Sequence, residues 1–227
     1  MKYIHPPGPN EVLIARGTYA HLKDGERTGT EERWEIHELK DLHLIRTDDG
    51  TGTLIQAHQA ADGRIVWAEV QAIGGADDPI KQLAATYMIS RKRFRARVRA
   101  DDATPDRYDM VLPPDYVFAP ESLIFAGLKV VALALFGGEV ASISYFPTLM
   151  NDYAFRPISY MQQAQAIHTE DADVFGTVQP VTEYVLRNPR NSDESRLWAD
   201  RYGILLRYSG GDGVHGAALI EYERENS

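Results

Sequence analysis

The sequence predicts a mainly β protein: a single large curved antiparallel sheet, a half-barrel or open barrel, with one apolar helix packed against its concave face. Three observations carry this. Turn signals recur at short, regular intervals; hydrophobic residues between them alternate with a period of two; and one segment of about 14 residues, LIFAGLKVVALALF (residues 123–136), is apolar nearly all round. Asp-Gly between alternating runs marks hairpins, because glycine supplies the positive φ that tight primed turns require. A helix that is hydrophobic on every side has to be buried, most naturally on the concave side of a curved sheet.

The elements follow in order. Lys23-Asp24-Gly25 separates a strand at 12–22 from one in which Trp34 and Ile36 alternate with Arg33, Glu35 and His37. Further strands are expected at 42–47, 53–59 and 64–73, punctuated by Asp48-Asp49-Gly50, Asp62-Gly63 and the run Gly74-Gly75-Ala76-Asp77-Asp78. The next stretch, SRKRFRARVRA (90–100), puts Arg91, Arg93, Arg95, Arg97 and Arg99 at every second position. On a strand these five share one face, while Phe94, Ala96 and Val98 point to the core on the other. A helix would scatter the arginines and expose Phe94 and Val98. Two uses fit the ladder. One is a solvated outer face cross-linked by ion pairs to Glu69, Asp106 or Asp109 in adjacent strands, the ordinary fate of a charge run. The other is an anion platform for a phosphate, carboxylate or lipid headgroup, drawing on the forked donor set of arginine.

After Asp101-Asp102-Ala103-Thr104-Pro105 and Pro113-Pro114 the pattern changes. Glu121 or Ser122 is suited to open a helix and Gly137-Gly138 to end it, with a strand at 130–136 as the competing reading. Leu123, Phe125, Leu128, Val131 and Leu135 fall close to one broad helical face. A strand resumes at 140–146 and stops at Pro147. Residues 157–169 alternate Ile158, Tyr160, Gln162 and Ala164 against Ser159, Met161, Gln163 and Gln165. Glu170-Asp171-Ala172-Asp173 is the expected turn into a strand at 174–187. RLWADRYGILLRY (196–208) reads as a hairpin turning at 200–203, and a last strand at 216–223 follows the Gly210-Gly211-Asp212-Gly213 turn. With no internal repeat and no linker, the chain is expected to form one antiparallel β domain, 1–227, with a helical insert near 121–136.

Two segments carry a resemblance. In GTYAHLKDGERTGTEERWEI (17–36) a Lys-Asp-Gly turn joins two strands, the second bearing Trp34. In LWADRYGILLRY (197–208), Trp198, Asp200, Gly203, Arg207 and Tyr208 form a W-x-D-x-x-G-x-x-x-R-Y hairpin. Both are similar to the long-stranded half-barrels related to lipoprotein carriers and lipoprotein-like lipid binders, a group that includes families of unknown function. The resemblance implies a strongly curved sheet wrapped around helical structure, leaving an apolar groove for a lipid or other hydrophobic ligand. The chain departs from the group in having a single strong helix segment and no export signal.

Composition narrows the chemistry. The 227 residues carry a formal charge of −9 and no cysteine, which argues against nucleic acid as a partner and excludes disulfides, thiolate metal sites and thiol nucleophiles. The apolar run is shorter than the roughly 20 residues of a transmembrane helix and contains Lys129. MKYIHPPGPNE has no apolar h-region, so the chain as it stands reads as cytoplasmic, or as exported if a leader has been removed. G-x-S-x-G, P-loop, dinucleotide and H-E-x-x-H motifs are all missing, and no cofactor is expected. His37 and His43 flank a turn, with Glu35 as a possible third ligand for a metal; the plainer reading is two surface histidines. Aromatics are the richer resource, since Tyr and Trp join an apolar body to one polar handle. The expected ligand-binding residues are Phe125, Leu128, Tyr145, Tyr160, Gln162 and Trp198, lining whatever groove the helix leaves open. The expected function is non-catalytic binding of a hydrophobic or amphiphilic small molecule. A cofactor-free cyclase or isomerase using the same groove, and a structural or protein-interaction module, are the alternatives.

Overall fold

The computed structural model describes residues 1–74, 82–90, 92–101, 103–145, 155–187 and 194–225. Strands β1 (Val12–Lys23), β2 (Glu26–Leu39), β3 (Leu42–Asp48), β4 (Thr53–Ala60), β5 (Ile65–Ile73), β6 (Gln82–Ser90), β7 (Arg93–Ala100) and β8 (Asp106–Val111) form a continuous antiparallel meander. Then come β9 (Tyr116–Phe118), helix α1 (Leu123–Phe136), β10 (Val140–Tyr145), β11 (Pro157–Val174), β12 (Thr177–Arg187), β13 (Glu194–Asp200), β14 (Leu205–Ser209) and β15 (His215–Arg224). All of the strands belong to one sheet, in the order β8-β7-β6-β5-β4-β3-β2-β1-β15-β14-β13-β12-β11-β10-β9. Only β9 and β10 pair in parallel. The chain thus starts in the middle of the sheet, builds one half outward to β8, crosses to the far edge at β9 and builds the other half inward until β15 meets β1.

That crossing explains the curvature. Only residues 112–115 separate β8 from β9, a span of under about 20 Å when fully extended. The two edges of a very wide sheet must therefore lie near one another, and the sheet curls into an open barrel. No hydrogen-bonded ladder joins the edges among the described residues. Aromatic packing does so instead: Phe94 on β7 meets Phe118 on β9 at 5.1 Å, and Tyr87 on β6 meets Phe118 at 5.6 Å. The Tyr87 hydroxyl donates to the carbonyl of Phe155 at 2.6 Å.

Helix α1 occupies the interior, packed on β9 and on β11 to β14, and a strand at 130–136 is ruled out. Gly127 makes this approach possible: a Cβ there would stand 2.4 Å from the carbonyl oxygen of Gly203. The helix ends at Gly137, left-handed at φ 68°. The start differs from expectation. Ser122 occupies the N-cap without a side-chain cap bond, and the carboxylate of Glu32 on β2 accepts the N–H groups of Leu123 (3.0 Å) and Ile124 (3.4 Å) instead. The buried side of the helix also differs. Ile124, Phe125, Gly127, Lys129, Val130 and Leu133 are buried, whereas Leu135 is 84% exposed. No helix among the described residues is long and apolar enough to cross a membrane.

The arginine ladder stands as the alternation requires: Arg93, Arg95, Arg97 and Arg99 are exposed, and Phe94, Ala96 and Val98 are buried. Arg91 lies outside the described residues. Asp109 on β8 pairs with Arg93 (2.9 Å) and lies 3.6 Å from Arg95. Glu69 is not a partner of the ladder, because β6 intervenes; it reaches His5 instead, at 3.0 Å. The β11–β12 hairpin is the other departure. Residues 170–173 continue β11, and the turn comes at Phe175-Gly176, both with positive φ. Asp173 accepts the Gly176 N–H at 2.7 Å, so the acidic run prepares the turn rather than forming it.

The N-terminal segment forms a strap across the outer face. Tyr3 donates to Glu35, the backbone N–H of Lys2 donates to Asp48, and Glu11 pairs with Arg46 at 2.7 Å. Arg46 is 2% exposed, and its Nε donates to the His5 carbonyl. His37 is buried here as well, 3.0 Å from Glu35 and 3.9 Å from Glu11, and is no surface residue. His43 pairs in register with Glu38 and turns to Gln59. No cluster of three metal-ligating side chains exists among the described residues.

Candidate functional site: two grooves beside α1

Two grooves flank helix α1, and they differ in the ionisable groups that line them. The first, about 320 Å³, lies between α1, β9, the β4–β5 turn and the β13–β14 turn. Phe125, Leu128, Val131, Ala132, Leu135 and Phe136 form its helical wall; Ile65, Val117, Phe118 and Tyr116 face them. Leu135 and Phe136 are exposed at its mouth, next to each other and continuous with the apolar wall. Two cations border the mouth. Arg64 is tied to Asp62 at 2.6 Å and to the Tyr116 hydroxyl, and Arg201 lies 4.7 Å from the Tyr202 ring.

The second groove, about 700 Å³, lies on the other side of the helix N-terminus, against β1, β2, β13, β14 and β15. Ionisable groups are set into its wall: Glu32, Asp49, Glu121, Lys129, Tyr208 and His215 line it together with Leu123, Leu186 and Leu197. Glu32 is 2% exposed. Burial pushes its carboxyl up to about 7, although the N–H groups of Leu123 and Ile124 favour the charged form. Glu121 accepts a hydrogen bond from the Ser144 hydroxyl. Lys129 lines both grooves.

The expected ligand-binding residues divide. Phe125 and Leu128 line the apolar groove, and Tyr160 reaches Lys129 through its hydroxyl. Gln162 is buried two residues further along β11, with its Oε1 lacking a partner among the described residues. Tyr145 stands apart: it is part of the aromatic contact with Tyr87 and Phe155, and its hydroxyl accepts the Glu121 N–H at 3.1 Å. Trp198 does not line either groove. Leu197 and Ala199 take the inward positions of β13, so Trp198 faces outward, 5.1 Å from the guanidinium of Arg207. Glu32, Lys129 and Tyr116 were not anticipated. Lys129 had a signal, as the one charge in an otherwise apolar helix; Glu32 had none, because its partners lie 91 and 92 residues away.

Compared with models of known protein families the chain matches none, and no curated protein gives a significant match to it.

Proposed function

We propose that the protein binds a hydrophobic or amphiphilic small molecule, lipid-like in character, in the apolar groove beside α1, and does so without catalysing a reaction. The observation that carries this reading is the groove itself: a concave, mostly apolar wall of about 320 Å³ with a few polar groups at its rim. Covering Leu135 and Phe136 would contribute roughly 25 cal/mol for each Å² of apolar surface removed from water. We also propose kinship with the lipoprotein-carrier-like half-barrels, supported by the two hairpins and by a curved open sheet around a helix.

The test uses the neutral dye N-phenyl-1-naphthylamine, whose emission rises on entering an apolar site, together with Ala132→Trp, which fills the groove from the helical wall. Saturable enhancement in the wild type that is absent in a folded Ala132→Trp supports the reading. Enhancement that Ala132→Trp leaves unchanged contradicts it.

A cofactor-free enzyme, a cyclase or isomerase, is the second reading, and the ionisable groups of the second groove favour it. Glu32, with its proton held to near neutrality, and the ammonium of Lys129 would act on a substrate reaching past α1.

A further inference from the structure

Lys129 is the only charged residue of α1 and is 9% exposed. The fold's most buried arginine shows how such a cation is normally accommodated: Arg46, 2% exposed, lies 2.7 Å from Glu11. Lys129 has no such neighbour. Among the described residues no carboxylate lies within 4.0 Å of its ammonium. Glu121, the acid that acts on it most strongly, is engaged by Ser144. What Lys129 does have nearby is hydroxyls: those of Tyr160 and Tyr208 both act on it. Ser142, opposite Tyr160 in the β10–β11 ladder, adds a fully buried hydroxyl on the strand face of Tyr160, with no partner among the described residues.

We propose that the molecule held in the apolar groove is an anionic amphiphile, and that Lys129 binds its carboxylate head where the two grooves meet; the inference rests on the reading of the groove given above. Glu121 acts on this ammonium only from beyond ion-pair distance, and a bound carboxylate would give it the direct ion pair that it lacks among the described residues. The residue keeps its charge for this purpose. Burial works against it, but Glu121, Tyr160 and Tyr208 outweigh burial and hold the Lys129 pKa above the ordinary lysine value. An ammonium has three donors, so even one given to the Tyr160 hydroxyl would leave two for a ligand. The other cations of the groove are less suited. Arg64 is already committed to Asp62 and Tyr116, and Arg201 is exposed at the mouth, where water screens it.

The experiment compares three chains of equal length as competitors of N-phenyl-1-naphthylamine: decanoate, decanol and decyltrimethylammonium. In a groove with no available cation the alcohol would win, because the carboxylate gives up more hydration. The expected result is that decanoate displaces the dye at least about tenfold more tightly than decanol from the wild type, with the cationic chain weakest. In Lys129→Met decanoate should bind no more tightly than decanol. Equal displacement by decanoate and decanol from the wild type overturns the anionic head while leaving the groove reading intact. A preference that survives Lys129→Met, or is lost in Arg201→Gln instead, moves the head to the mouth and also overturns it. If none of the chains displaces the dye, both readings fall. Should Lys129→Met not fold, the wild-type comparison decides alone.

Discussion

Tyr87 on β6 and Tyr145 on β10 stack with ring centroids 5.2 Å apart and planes 6° from parallel. The two strands lie near opposite edges of the sheet, so this pair, with Phe94, Phe118 and Phe155 around it, holds the open barrel together where no backbone ladder does among the described residues. Both rings are almost wholly buried, and burial pushes both phenols well above the ordinary tyrosine range. Neither ionises in the folded protein near neutral pH.

Two substitutions separate the packing of this seam from its hydrogen bond. Tyr87→Phe keeps the ring and leaves the Phe155 carbonyl unpaired, at a cost of about 1–3 kcal/mol. Tyr145→Ala removes the ring and should cost about 3–5 kcal/mol. Urea unfolding monitored by circular dichroism reads both. Equal costs would mean that the hydrogen bond, and not ring packing, joins the edges.

Glu32 predicts a specific pH dependence. Its carboxyl is raised to about 7 in the folded chain from an ordinary value near 4.5, so the native state binds the proton more readily than the unfolded state does. Its contribution is therefore most favourable below about pH 4.5, and is lost as the pH rises through about 7. Glu32→Gln mimics the protonated form. The variant should match the wild type near pH 5 and exceed it at pH 8 by on the order of 3 kcal/mol, since each tenfold difference in proton affinity between the folded and unfolded chain corresponds to about 1.4 kcal/mol. Taking the difference between the two proteins cancels other titrating groups, such as His21, His58 and Asp200. A variant less stable than the wild type at pH 8 would show that the charged carboxylate is the better cap for α1.

The arginine ladder predicts a small effect. Arg95 and Asp109 are both about half exposed and 3.6 Å apart. Arg95→Gln should change stability by less than about 1 kcal/mol and leave dye binding as it is. Weaker displacement of the dye by decanoate, with displacement by decanol and stability unchanged, would instead make this face an anion platform.

The alternation of apolar and polar residues made most of the strands legible, along with the hairpin turns at Asp24-Gly25, Asp49-Gly50 and Asp62-Gly63. The buried helix was legible in its composition, and Gly137 marked its end. What stayed hidden depends on partners distant in sequence. Nothing local announces that Lys2, Tyr3 and Glu11 will strap β2 and β3, or that Glu32 will take over the cap from Ser122. Trp198 shows a second difficulty. The hairpin forms where the pattern puts it, but its inward face belongs to Leu197 and Ala199, and a shift of one residue exchanges the two faces. On the helix, the apolar pattern is too uniform to reveal its buried side, so Leu135, expected inside, stands at the mouth of the groove.

The central claim is that the apolar groove beside α1 is the ligand site, and covalent capture tests it most directly. A decanol analogue carrying an aliphatic diazirine would be bound, irradiated and located by peptide sequencing in a mass spectrometer. The account predicts adducts on residues of the groove wall, within 116–119 and 123–136, that excess decanol competes away. Labelling that decanol does not reduce, or competed adducts confined to the outer faces of β7 or β13, would contradict it.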